Sequence, residues 1–285
     1  MALWTFFGLA RGEATTDWPK PHTGSAEQDA VIGLPRISGK DCAPDCAACI
    51  AACPTEALRR SDPEAGQGED GNARIALDYG RCIGCQRCVD VCPAGTLSAS
   101  HEWALGTRRR EDLVFDPHAR RAAERLQQAM ARVFKHSLHI RHVDAGSCNG
   151  CESELQALLN PFYNLHRLGI FFTASPRAAD LLLVTGTVTA AMQEPLLATW
   201  QAMPEPRRVL ACGTCAVSGG VCGNTYASGN GLDGHALDGH ALDGMLPVDI
   251  WLPGCPPNPA AIIEALLLLL ERKPQRVHGG RPHER

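Results

Sequence analysis

What the chain lacks narrows its class first. No apolar run reaches the ~20 residues needed to cross a bilayer. The longest, "AIIEALLLLL" at 261–270, is interrupted by Glu264 and reads as a buried helix. There is no positive excess: the formal net charge is -4, which argues against general nucleic-acid binding. Aromatic residues make up only 5% of the chain. "MALWTFFGLA" lacks a basic n-region and an A-x-A-like cleavage site, so no secretory signal is expected, and with it no disulfide scaffold. No Gly-rich nucleotide fingerprint and no Ser/His/Asp constellation stands out. "TGTVTA" at 185–190 is a weak phosphate-loop candidate that reads more simply as a strand-to-helix turn.

What is there in excess is cysteine, 14 residues of 285, and they are clustered. In a reducing compartment clustered cysteines point to metal or iron–sulfur binding. The block Cys82-x2-Cys85-x2-Cys88-x3-Cys92-Pro93 has bacterial 4Fe–4S ferredoxin spacing. Three thiolates on a tight loop wrap three irons of a cube, and the last iron needs a thiolate from a neighbouring turn. A zinc site needs four cysteines once, as two separated pairs, and gives no reason for a triple followed by Cys-Pro. Cys42-x3-Cys46-x2-Cys49-x3-Cys53-Pro54 repeats the block with one extra residue after Cys42. The spacing predicts a crossed pairing, with Cys42, Cys46, Cys49 and Cys92 on one cluster and Cys82, Cys85, Cys88 and Cys53 on the other.

The organisation follows. Residues 1–36 form an N-terminal docking segment whose "LWTFFGL" either lies on an interface, docks on a partner or packs on its own domain. Residues 37–106 form the two-cluster domain, of α+β class. Residues 107–136 are a basic linker and helix, capped by Asp116-Pro117 and read as a solvated face or as a docking surface for an acidic partner. From there to residue 275, short apolar strands at 138–143, 169–174, 180–186, 207–213 and 248–253 alternate with helices near 151–160, 189–202 and 259–272. That alternation predicts an α/β doubly wound parallel sheet, flavodoxin-like, covered on both faces. Asn258-Pro259 opens the last helix. Residues 276–285 are a tail. The LDGHA repeat that carries His235 and His240 reads as a surface-loop insertion.

In an open parallel sheet, ligands bind outside the carboxyl ends of the strands. Cys148 and Cys151 follow the first strand, Cys212 and Cys215 the fourth, and Cys255 the fifth. Cys148, Cys151, Cys255 and one of Cys212 and Cys215 can therefore converge as a third site. Glu152 and Glu154 stand beside it, either as proton-coupling acids or as carboxylates favoured at a helix N-terminus.

"VDAGSCNGCESEL", "SPRAADLLLVTG", "CGTCAVSGG" and "LPGCPPNP" make residues from about 130 to 272 resemble the small iron–sulfur subunit of energy-converting membrane-bound NiFe hydrogenases such as formate hydrogenlyase. They are more distantly similar to the 20-kDa subunit of respiratory complex I. Residues 1 to about 113, "GEATTDWP" included, resemble the ferredoxin-like partner subunit of the same complexes, so the chain looks like a fusion of two usually separate subunits. The resemblance implies Cys148, Cys151, Cys215 and Cys255 as ligands of the third cluster, three 4Fe–4S clusters in all, and no role for Cys212 or Cys222. It implies electron transfer between a donor, such as formate dehydrogenase or ferredoxin, and a hydrogenase or complex I-like large subunit. Membrane-arm subunits would be further partners, with the chain peripheral on the cytoplasmic face of the cell membrane. Complex I subunits carry adjacent cysteines at the first position. Here Asn149-Gly150 separates them, the hydrogenase-type spacing. A quinone- or ferredoxin-linked complex without nickel is the alternative, and a zinc-stabilised interaction protein the third reading. Once the clusters are assigned, no Cys-x-x-Cys pairs remain for nickel.

Overall fold

The computed structural model describes residue 10 and residues 32–38, 42, 45–61, 75–115, 137–223, 225–233 and 246–272. The N-terminal "LWTFFGL", the helix expected over 116–135 and both repeat histidines lie outside these.

The first module repeats one unit twice: strand, cysteine loop, helical turn, strand. The first copy is β1 (Arg36–Ile37), α1 (Ala48–Ala52) and β2 (Leu58–Arg60). The second is β3 (Ile75–Asp78), α2 (Arg87–Asp90) and β4 (Leu97–Ser98). The copies interlock, because β1 pairs antiparallel with β4 and β2 with β3. Each cysteine block is thus clamped by strands of both repeats. β5 (Val114–Phe115) adds to the outer side of β3. Ile75, Leu77, Tyr79 and Leu113 fill this small core.

The second module is a five-stranded parallel sheet. In chain order it holds β6 (Leu138–Asp144), α3 (Gly150–Ala157), β7 (Ile170–Phe172), β8 (Leu181–Thr185), α4 (Ala190–Gln201), β9 (Arg208–Cys212), α5 (Thr214–Ser218), β10 (Ile250–Leu252) and α6 (Pro259–Leu269). The strand order is β10-β9-β8-β6-β7, all parallel, which is the flavodoxin-like doubly wound order expected from the sequence. Leu181, Leu183 and Leu210 face α3 and α6 on one side. Leu182, Val184 and Val209 face α4 on the other. Both faces of β8 are therefore fully buried, as its unbroken apolar run requires.

Every residue of α6 is buried, Glu264 included. A helix apolar all round must be covered all round. The sheet covers one side of α6, and the chain that leaves the first module contributes to the rest. Trp103 packs on that core, a Cβ at Gly106 would stand 3.1 Å from the Ala265 Cβ, and Arg108 Nη2 donates to the Leu268 carbonyl at 2.7 Å. Thr107 forms a bridge to Trp251 of β10. Residues 103–108 thereby tie the two modules together before the chain returns to β5.

Candidate metal centre

The parallel sheet presents the carboxyl ends of β6, β9 and β10 at one edge, and the loops there carry five cysteines. After β6, Asp144 Oδ1 accepts the N–H groups of Gly146 and Ser147 at 2.9 and 2.8 Å, which turns the chain sharply. Ser147 Oγ then donates to Glu152 Oε2 at 2.8 Å, closing the loop that contains Cys148 onto α3. Asn149 sits in the left-handed region at φ 70° and starts the helix, so Cys151 falls in its first turn. Cys148 is exposed and Cys151 buried.

After β9 the chain passes Gly213 at φ +90°, where a Cβ would lie 2.6 Å from Cys151 Sγ. Only glycine lets this backbone approach that sulfur. Cys215 follows on α5, and a Cβ at Gly220 would lie 3.0 Å from its sulfur. After β10, Gly254 leads to the exposed Cys255. Burial pushes the Cys151 thiol up to about 12, with Glu152, Cys215, Cys255 and Cys148 adding repulsion. Burial likewise raises Cys215 to about 11, with Cys255, Cys222 and Cys148 next to it. Cys255 is raised by burial, then by Cys148 and Cys222. A cationic centre bound here would take these thiols as thiolates and displace their protons.

Cys212, which the strand ends left as an alternative to Cys215, is the last residue of β9 and adjoins Cys151 and Glu152 from within the sheet core. It is fully buried in the sheet core beside Leu210, and burial holds its thiol far above the ordinary range. Cys222 is exposed and electrostatically close to Cys215 and Cys255, although neither spacing nor resemblance gave it a place.

Glu152 is 9% exposed and anchored from three sides. Ser147 and Thr185 hydroxyls donate to its two oxygens, and His142 Nε2 stands 3.6 Å from Oε1 and 2.9 Å from the Thr185 hydroxyl. Burial lowers the His142 pKa, against the raising effect of Glu152. The sequence placed Glu152 next to the site; that it closes the Cys148–Cys151 loop depends on β8, which carries Thr185. Glu154 is half-buried, and that burial raises its carboxyl.

In the first module, Cys42, Cys46, Cys49 and Cys92 line one recess, walled by Ile75 and Leu97. The extra residue after Cys42 leaves its sulfur in this group, where it donates to Thr96 Oγ1 at 3.4 Å. Burial raises Cys49 to about 11, and Cys42 and Cys92 add to it. Burial acts upward on Cys92 too, but the backbone N–H groups of Leu97, Thr96, Gly95 and Ala94 face its sulfur and bring it below the ordinary value. The second group gathers around Cys88, which burial pushes to about 12, with Cys82, Cys53 and Cys85 as its nearest charges. Cys82 rises to about 11 by burial, against the Gly84 N–H, with Cys53 and Cys85 adjoining it. The Ala57 N–H donates to Cys53 Sγ at 3.3 Å.

The cysteines expected as ligands gather in three places, and Cys222 joins the third. Among the described residues no three His, Cys, Asp or Glu side chains close around a single metal ion. A cube needs no such closeness, since it spreads its thiolates over several irons. The residues fit such groups: recesses walled by sulfur and apolar carbon, glycines where a side chain would strike a sulfur, and N–H donors aimed at thiolates.

Comparison with known proteins agrees in both halves. Residues 148–269 match the family of the NADH ubiquinone oxidoreductase 20 Kd subunit, and residues 41–96 match the 4Fe-4S dicluster domain. Formate hydrogenlyase subunit 7 of Escherichia coli is 38% identical over 159 residues, covering 56% of this chain and 58% of that protein. The probable membrane-bound hydrogenase subunit mbhJ of Pyrococcus furiosus is 38% identical over 164 residues, covering 56% of this chain and 92% of that protein. A chain in the structure of the membrane-bound sulfane sulfur reductase, an archaeal respiratory membrane complex, is 34% identical with a TM-score of 0.40, over 48% of this chain and 70% of that one.

Proposed function

The chain belongs to the family of the NADH ubiquinone oxidoreductase 20 Kd subunit, and on that premise we propose that it is the iron–sulfur electron-transfer subunit of a membrane-associated NiFe hydrogenase complex, with its ferredoxin partner fused in front. It is an oxidoreductase subunit without a complete active site of its own. The observation that carries the reading is the placement of Cys148, Cys151, Cys215 and Cys255 at one sheet edge, joined to a module that holds two further groups of four cysteines.

In this reading three 4Fe–4S clusters supply one-electron chemistry. Cys42, Cys46, Cys49 and Cys92 hold the first, Cys82, Cys85, Cys88 and Cys53 the second, and Cys148, Cys151, Cys215 and Cys255 the third. The chain's own residues set the conditions. Apolar walls exclude water, backbone N–H groups stabilise thiolate charge at Cys92, and Glu152 fixes the Cys148–Cys151 loop. Cys148 and Cys255 are exposed, as is Val221, the chain neighbour of Cys222, which adjoins Cys255; this leaves the third site open to a catalytic large subunit. No helix among the described residues is long and apolar enough to cross a membrane. A place on the cytoplasmic face, bound through membrane-arm subunits, fits that observation, with formate dehydrogenase or ferredoxin as the donor at the first module.

The family match at 148–269 also favours a second reading, a quinone- or ferredoxin-linked complex without nickel. Metal analysis of the chain with its co-purifying partners separates the two. About one nickel per chain in a larger partner supports the hydrogenase; iron without nickel supports the alternative.

A further inference from the structure

We infer that Thr214 is the positioning residue that bonds the second and third cysteine groups into one electron route; this rests on the electron-transfer reading above. Thr214 is 1% exposed and opens α5, directly before Cys215. Its Oγ1 donates to the carbonyl oxygen of Cys82 at 3.1 Å, across a separation of 132 residues. The same oxygen accepts the Gly254 N–H at 3.1 Å, next to Cys255. One hydroxyl therefore touches the backbone of a proposed ligand of the second group and adjoins two proposed ligands of the third. Ser218, one helical turn on, donates to the Gly80 carbonyl at 2.8 Å, so the same face of α5 grips the 80–82 backbone twice.

Electronic coupling decays less through covalent and hydrogen bonds than across van der Waals gaps. The path from Cys82 Sγ along its own backbone to the carbonyl, through Thr214 Oγ1 and on to Cys215 Sγ contains one hydrogen bond and no gap. One electron crosses in either direction, oxidising the cluster on one side and reducing that on the other. No bond is made or broken, and the proton stays on Thr214 Oγ1. The link sets the group with Cys82 against the third site.

The test uses the full chain, purified anaerobically with its clusters, as wild type, T214V and T214S. Valine keeps the volume and removes the hydroxyl; serine restores it. Flash-photogenerated deazaflavin semiquinone injects electrons, and the phase independent of protein concentration reports redistribution between clusters. Freeze-quench electron paramagnetic resonance assigns that phase to the third cluster, and iron content and potentials are measured alongside. The expected result is a several-fold slower phase in T214V at unchanged iron content and potentials, with wild-type kinetics in T214S. An unchanged rate in T214V overturns the route. So does loss of the third cluster in T214V with T214S intact, which would make the hydroxyl purely structural. A wild-type chain with its iron but no such phase overturns the electron-transfer reading itself.

Discussion

At the scale of residues, two cysteines three positions apart have opposite fates. Cys212 is the last residue of β9 and shares its face with Leu210. Period-two alternation along a strand was the signal that could have separated Cys212 from Cys215. Cys215, past the turn at Gly213, is free to face Cys255 and Cys148. Cys212→Ala is expected to keep all the iron and to cost about 1 kcal/mol of stability for the small void it leaves. Cys215→Ser is expected to lose the third cluster alone, read as a drop of about four iron per chain with both ferredoxin-type signals retained. Glu152 belongs to this scale too. Glu152→Ala leaves the buried Thr185 hydroxyl and the Ser147 hydroxyl without their acceptor, a loss of about 1–3 kcal/mol for a buried group. Thermal unfolding should shift down accordingly, and the third cluster should become the most labile in a chelator titration. Glu152→Gln, which keeps one acceptor, should fall between.

At the scale of elements, much was legible because the strands carry nearly continuous apolar runs. "DLLLV" and "RRVLAC" have no other stable home than a sheet covered on both faces, and β8 and β9 stand where those runs lie. The last helix was marked at its start. Asn258 Oδ1 accepts the Ala261 N–H at 2.7 Å, with Pro259 in the first turn. Asn258→Ala should therefore cost about 1 kcal/mol, checked by chemical denaturation. What the sequence did not disclose is what covers α6 and what α5 grips. Trp103, Gly106 and Arg108 lie far along the chain from α6, and Thr214 is no nearer to Cys82. Local periodicity carries no information about pairings at such separations. The spacing of the cysteine blocks is different, because ligand geometry there is local and the interlocked repeats follow from it.

At the scale of the whole molecule, two modules that resemble separate subunits share one interface. Arg110 holds it. Its guanidinium binds both oxygens of Asp78 at 2.8 and 2.7 Å in the first module and Asp233 Oδ2 at 2.8 Å in the second. Burial works against the charge, but these carboxylates more than offset it and the pKa is raised. Bidentate geometry of this kind is specific to arginine. Arg110→Lys should not rescue what Arg110→Ala breaks. Both are expected to split a single calorimetric unfolding transition into two, one per module, whereas a single shifted transition would show that the remaining bonds and packing suffice to hold the modules together.

The measurement that bears most directly on the central claim is the metal content of the chain purified anaerobically. The account predicts about 12 iron with matching acid-labile sulfide and negligible zinc per chain. Zinc with little iron would contradict it, since the twelve grouped cysteines would then be holding folds together and moving no electrons.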